Sequence, residues 1–123
     1  MIFDKNKLIK SPLNYTGGKF KLLPQLLPLF PDDINTFIDL FCGGCNVGIN
    51  VKANKIICND SMKQLINLYK YFQSHTIEDI YKYIYDMIDK YELTKTNQMG
   101  YLKMREQYNK YKNFTKLFDI IWY

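Results

Sequence analysis

Apolar and polar positions divide the chain into two regimes that meet near residue 75. In the first, Thr36-Phe-Ile-Asp-Leu-Phe41 is a short apolar run, partly β-branched, that leads into Gly43 and Gly44. The pattern predicts a buried strand ending in a tight turn. Asn46 to Lys52 predicts a short helix, and Lys55-Ile-Ile-Cys-Asn59 predicts a second buried strand. Asp60 and Ser61 can cap a helix through Phe72, with Leu65, Ile66, Leu68, Tyr69 and Phe72 on its apolar side. Strand, helix, strand and helix in this order predict an α/β fold with a parallel sheet.

Beyond His75 the period becomes helical. Thr76 followed by Asp79 reads as a capping box, although Asp is a weaker partner there than Glu. Ile77, Ile80, Tyr81, Ile84, Ile88 and Tyr91 recur at helical spacing and predict one apolar face. A second helix is predicted from about Gln98 to Tyr111. Ten of the eleven tyrosines follow residue 68, and a Tyr-rich helical stripe is first a packing surface with wet hydroxyls. The segment from Lys116 to Tyr123 is strongly apolar and carries no helix-stop signal, which points first to a chain cut inside an apolar element and otherwise to a terminal segment docked into a core.

Composition narrows the class. With 123 residues, 47% hydrophobic and 24% charged, the chain has the make-up of one globular domain, not of a disordered or fibrous protein. No run approaches the roughly 20 apolar residues of a membrane-spanning helix. The N-terminus lacks the apolar centre of a signal peptide. Three cysteines, an odd number, speak against a secreted disulfide framework. These features predict a soluble protein of the cytoplasm.

The net charge of +5 is concentrated: residues 1–21 hold five lysines against one acid, Asp4. Such an arm can meet phosphate or be solvated. Arg105 is the only arginine among the basic residues, whereas surfaces that read bases usually favour Arg. Charge alone is therefore a weak pointer to nucleic acid.

Three local motifs carry chemistry. Asp39-Leu-Phe-Cys-Gly-Gly-Cys-Asn-Val47 delivers a strand to a glycine pair, and Asp60 follows 17 residues after Gly43 at the end of the next strand. Glycines let a backbone approach a ligand closely, and an acid at about that distance suits a ribose hydroxyl pair. Together they predict an adenosine-containing cofactor. Pro12-Leu-Asn-Tyr-Thr-Gly-Gly-Lys-Phe-Lys21 is not a phosphate loop, because Leu13 stands where the first glycine belongs and Phe20 follows the lysine. What it offers is an aromatic ring (Tyr15), a glycine pair (Gly17, Gly18) and a cation (Lys19). These suit a planar group and a carboxylate. Cys42 and Cys45, with Cys58, could form a redox pair or part of a zinc site, or be small residues in a turn. His75 reads as a loop residue.

In this order, the residues Pro12 to Lys19 with Leu22-Leu23-Pro24, then Asp39 to Gly44, then Asn59-Asp60 before a helix, resemble the N-terminal half of the Dam-type adenine-specific DNA methyltransferases. Tyr101, Leu102, Arg105, Tyr108 and Asn109 resemble a segment that follows there. The resemblance implies an incomplete Rossmann-like methyltransferase sheet followed by a helical segment. Residues 1–75 would be the cofactor-binding part and 76–123 the start of the DNA-recognition region. It also implies S-adenosylmethionine as cofactor, no metal, and double-stranded DNA as partner of the full-length protein. Its cofactor contacts map onto Tyr15, Gly17, Gly18, Lys19, Asp39, Phe41, Gly43, Gly44 and Asp60, with Asp60 on the ribose. Cys45 departs from the family, where a third small residue is common.

A larger departure is an absence. The family's catalytic motif, Asp-Pro-Pro-Tyr, is not in this sequence, whose prolines stand only at 12, 24, 28 and 31. The expectation is an N-terminal fragment, missing a C-terminal half, without catalytic residues and inactive alone. Two rivals are a non-catalytic module holding cofactor or nucleic acid, and a thiol redox protein using Cys42 and Cys45.

Overall fold

The computed structural model describes residues 4–111. The chain forms two compact units that divide between Ser61 and Met62. The composition shift at residue 75 falls inside the second unit, between two of its helices.

The first unit begins with a 3-10 turn, Lys5–Lys7, whose Asn6 N–H donates to the Asp4 carboxylate at 2.9 Å. A 3-10 turn (Phe20–Leu22), one turn of helix α1 (Leu23–Leu26) and another 3-10 turn (Leu27–Leu29) then run in series. Pro24 and Pro28 stand in the first turns of the last two pieces, where their missing N–H groups cost nothing. The same prolines stop the pieces from merging into one helix.

Strand β1 (Ile34–Asp39) pairs in parallel with β2 (Ala53–Cys58), in a register that sets Ile34 beside Ala53 and Asp39 beside Cys58. The α/β class and the parallel pairing are as the sequence predicts. Both strands start two residues earlier than their apolar runs suggest, and β1 also ends two residues sooner, because Leu40 and Phe41 already turn away into the loop. Pairing continues a little past the strands: Asn59 N–H donates to Asp39 O at 2.9 Å and Cys42 N–H to Asn59 O at 2.8 Å.

Two predictions fail here for physical reasons. The helix expected over Asn46 to Lys52 is a succession of turns, with Ile49 N–H on Cys45 O and both Asn50 and Val51 N–H on Val47 O. Cys45 has a φ of +63°, so the segment starts from left-handed backbone and does not settle into a regular helix. The strands are also less buried than predicted, with Ile38 at 58% and Ile56 at 39% exposed. Two strands cover little of each other's faces, and apolar content alone does not bury them. The core of this unit is Leu23, Leu27 and Val51, ringed by residues that include Leu8, Phe20, Phe30, Ile34 and Phe37.

The second unit holds α2 (Lys63–Ser74), α3 (Ile77–Tyr91) and α4 (Gln98–Tyr111). Met62 occupies the cap position of α2, so neither Asp60 nor Ser61 serves as the cap that the sequence suggests. The capping box on α3 forms as predicted: Asp79 N–H donates to Thr76 Oγ1 at 3.2 Å and Thr76 N–H to the Asp79 carboxylate at 3.3 Å. The predicted α3 face is only partly used: Ile77 and Tyr81 are exposed, and the rest are half-buried. His75 follows α2 directly and stacks on Tyr71 with ring centres 3.9 Å apart, in keeping with a loop role. Leu65, Leu68, Leu93, Met104 and Tyr108 are the buried side chains. The apolar ending at Lys116 to Tyr123 lies outside the described residues. Among the described residues no helix is long and apolar enough to cross a membrane.

Candidate cofactor pocket

A pocket of about 480 Å³ opens at the carboxyl ends of β1 and β2. That is within the range of small-molecule sites, and the carboxyl end of a parallel sheet is where α/β folds place their ligands. Its walls come from three pieces of chain: the loop Tyr15 to Lys19, the turn from Phe41 through Val47, and the two strand-end acids, Asp39 and Asp60.

The central contact of the pocket spans the two strands. Asp60 Oδ2 accepts the Gly43 N–H at 3.0 Å. The carboxylate that could have capped α2 is instead aimed across the strand ends at the glycine turn. Gly43 has a φ of +48°, a left-handed conformation that suits glycine. A Cβ there would lie 3.5 Å from the Tyr15 ring, and one on Gly44 would lie 3.4 Å from Tyr15 Cβ. The tyrosine thus rests against the glycine turn, and the two loops share a wall. Lys19 curls back, its Nζ donating to Gly17 O at 2.7 Å, and Phe41 is 83% exposed at the rim.

Asp39 sits deeper. Its Oδ2 accepts the Gly48 N–H at 3.2 Å. Burial holds its carboxyl above the ordinary carboxylate value; the Gly48 bond opposes this, and the nearby Asp60 charge adds to it. All nine residues singled out from the sequence (Tyr15, Gly17, Gly18, Lys19, Asp39, Phe41, Gly43, Gly44 and Asp60) line this one pocket. Sequence reading missed Thr16, Cys42, Asn46 and Val47, which line it as well. The signal for Asn46 was a polar side chain just after a glycine pair, four residues before Asn50.

The surroundings of the cysteines favour the protonated thiols. Cys42 and Cys45 are buried, and Cys45 Sγ lies 2.9 Å from Cys58 Sγ. Burial first, then neighbouring thiols and acids, pushes the Cys42 thiol up to about 11 and the Cys45 thiol further up. A redox-active cysteine needs the opposite, a lowered value that yields thiolate. Among the described residues no cluster of three or more His, Cys, Asp or Glu side chains is placed to hold a metal ion.

The loops, acids and parallel strands define a pocket at the carboxyl ends of the strands of an α/β protein. Residues 15–122 match the D12 class N6 adenine-specific DNA methyltransferases, and the chain belongs to that family. It is 50% identical over 108 residues to the modification methylase StsI of Streptococcus sanguinis, covering 88% of this chain and 16% of that protein. It is 48% identical over 118 residues to the type II methyltransferase M.FokI of Planomicrobium okeanokoites, covering 96% of this chain and 18% of that protein. The modification methylase LlaI of Lactococcus lactis subsp. lactis is 29% identical over 109 residues, again with 18% of its length covered. The chain thus spans less than a fifth of the length of these relatives.

Proposed function

We propose that this chain is the cofactor-binding part of an adenine-specific DNA methyltransferase. The reaction moves a methyl group from S-adenosylmethionine to the exocyclic amino nitrogen of adenine in duplex DNA. The observation that carries the reading is the convergence of Asp60, the Gly43 turn and the Tyr15–Lys19 loop on one pocket at the strand ends.

The residues fit the group. Asp60 offers acceptors to the ribose hydroxyls from the end of β2. Gly43 and Gly44 leave room that a side chain would fill, so backbone can approach the cofactor. Tyr15 offers a ring face, Phe41 an apolar rim, and Lys19 a cation for the carboxylate. When bound, S-adenosylmethionine supplies an electrophilic methyl on a sulfonium. The side chains here bind and orient it, while the Asp-Pro-Pro-Tyr motif that would hold the flipped adenine is not among the 123 residues. We therefore assign no catalytic residue. Residues 1–75 bind cofactor, and 76–123 begin the DNA-recognition region. A cytoplasmic location, with access to duplex DNA, goes with this function.

Calorimetric titration of the chain with S-adenosylmethionine tests it. Saturable binding that Asp60→Ala weakens at least about tenfold is the expected result. No binding by the parent chain would refute the cofactor reading. Methyl transfer to duplex DNA by the 123-residue chain alone would refute the division of labour.

A further inference from the structure

Ser11 and Asn46 are the polar residues buried among the described ones, at 6% and 8% exposed. Asn46 lines the pocket, and Ser11 lies just ahead of the Tyr15 to Lys19 loop, 35 residues earlier in sequence. The Ser11 N–H donates to Asn46 Oδ1 at 2.8 Å. A backbone N–H can only donate, so the atom facing Ser11 must be the amide oxygen, and the orientation of the Asn46 side chain follows. Its amino group, Nδ2, then points the other way. A Cβ on Gly18 would lie 3.3 Å from Nδ2, and one on Gly44 would lie 3.5 Å from it. Nδ2 therefore lies between the two glycine pairs, on the wall of the pocket that Asn46 lines.

That amino group makes no hydrogen bond to the protein, yet no fully buried polar atom among the described residues lacks a partner. Nδ2 thus reaches the open space of the pocket and offers its donors there. The side chain cannot easily swing away. Asn50 Nδ2 donates to the Asn46 carbonyl at 2.7 Å and also to Ile9 O at 2.7 Å, while Asn50 Oδ1 accepts the Ile9 N–H at 2.8 Å. Asn46 is held at its amide oxygen and at its backbone carbonyl, and its Nδ2 is not used by the protein.

We propose that Asn46 is a ligand-contacting residue of this pocket, whose Nδ2 donates to a carboxylate oxygen at the amino-acid end of the cofactor. The assignment rests on the S-adenosylmethionine reading above and adds a contact to it. Lys19 is on the same loop as Gly18, so a carboxylate there meets a cation and a fixed donor together. Asp60, at the strand end, is left for the ribose.

The test uses two ligands and two variants of the 123-residue chain. S-adenosylhomocysteine carries the amino-acid end, and 5′-methylthioadenosine lacks it. Asn46→Asp keeps an oxygen for the Ser11 N–H and replaces the donor with a second acceptor. Asn46→Ala removes both. The expected result is that Asn46→Asp binds S-adenosylhomocysteine at least about tenfold more weakly than the parent. Its affinity for methylthioadenosine changes less than about threefold, and its thermal midpoint stays near the parent's. Asn46→Ala weakens S-adenosylhomocysteine to a similar degree and also lowers the midpoint. Parental affinity for S-adenosylhomocysteine in Asn46→Asp overturns the assignment alone. Equal losses for both ligands reduce Asn46 to a structural clamp and overturn it too. Failure of the parent to bind either ligand overturns the cofactor reading and this contact with it.

Discussion

The carboxylate of Asp60 accepts the backbone N–H of Gly43 at 3.0 Å, across 17 residues of sequence. One side chain thereby shapes the glycine turn and remains at the pocket wall. The two roles separate by substitution. Asp60→Asn keeps an acceptor for Gly43 but loses the charge and one ribose acceptor. Asp60→Ala loses everything. We expect Asp60→Asn to unfold within about 0.5 kcal/mol of the parent and Asp60→Ala to lose about 1–2 kcal/mol. Both should bind S-adenosylmethionine at least about tenfold more weakly. Denaturant melts and titration calorimetry on the same preparations check this.

Gly43 and Gly17 make an internal comparison. Both have positive φ, +48° and +75°, so alanine costs about 1 kcal/mol of backbone strain at either. A Cβ at Gly17 meets nothing within 4 Å, whereas one at Gly43 meets the Tyr15 ring at 3.5 Å. Gly17→Ala and Gly43→Ala should therefore be similarly destabilised, but Gly43→Ala, whose new methyl sits against the Tyr15 ring, weakens cofactor binding more, as titration calorimetry on both variants would show. Equal binding losses would show that the ring is not seated on the turn.

The parts of this fold legible in the sequence are those governed by local chemistry. Thr76 and Asp79 form their capping box because both partners lie within one turn. The pocket residues were legible because glycine pairs and a strand-end acid need few long-range facts to interpret. Asp60 was misread as a helix cap because its partner, Gly43, is remote, and sequence shows only the nearby N–H groups. The turns after Cys45 were misread as helix because a left-handed φ at a cysteine has no composition signal. Asn46 was passed over because its importance comes from Ser11, 35 residues away.

Gly100 lies within α4, where alanine normally stabilises a helix by about 1 kcal/mol. Here the outcome should reverse. A Cβ at Gly100 would run into the Tyr91 carbonyl oxygen and the Asn97 side chain, and the first of these is backbone with little freedom to yield. The Gly100 N–H also donates to Asn97 Oδ1 at 3.1 Å, which fixes the Asn97 side chain close to this position. We expect Gly100→Ala to destabilise the chain by about 1–3 kcal/mol, the usual cost of overpacking. Thermal unfolding of this variant beside an exposed control, Lys103→Ala, checks it; a stabilised variant would show that α4 starts farther from Tyr91.

The buried thiols make the last prediction, which concerns both reactivity and pH. Cys42 ordinarily ionises near 9.0 and is pushed up to about 11 by burial and neighbouring charge. At pH 8 its thiolate fraction is about 100-fold below that of a free thiol, so iodoacetamide should label it about 100-fold more slowly in the folded chain than in urea. The stability consequence has a definite sign. Between 9.0 and about 11 the folded state still holds this proton while the unfolded state has released it. Stability from this group is therefore complete below pH 9.0 and is lost as pH rises through about 11. Cys42→Ala removes the group, so after subtraction of its pH-independent offset its stability should fall less steeply than the parent's above pH 9. Rapid labelling of folded Cys42 at pH 8, or identical slopes in parent and variant, would show a thiolate in the glycine turn and reopen a redox role for Cys42 and Cys45.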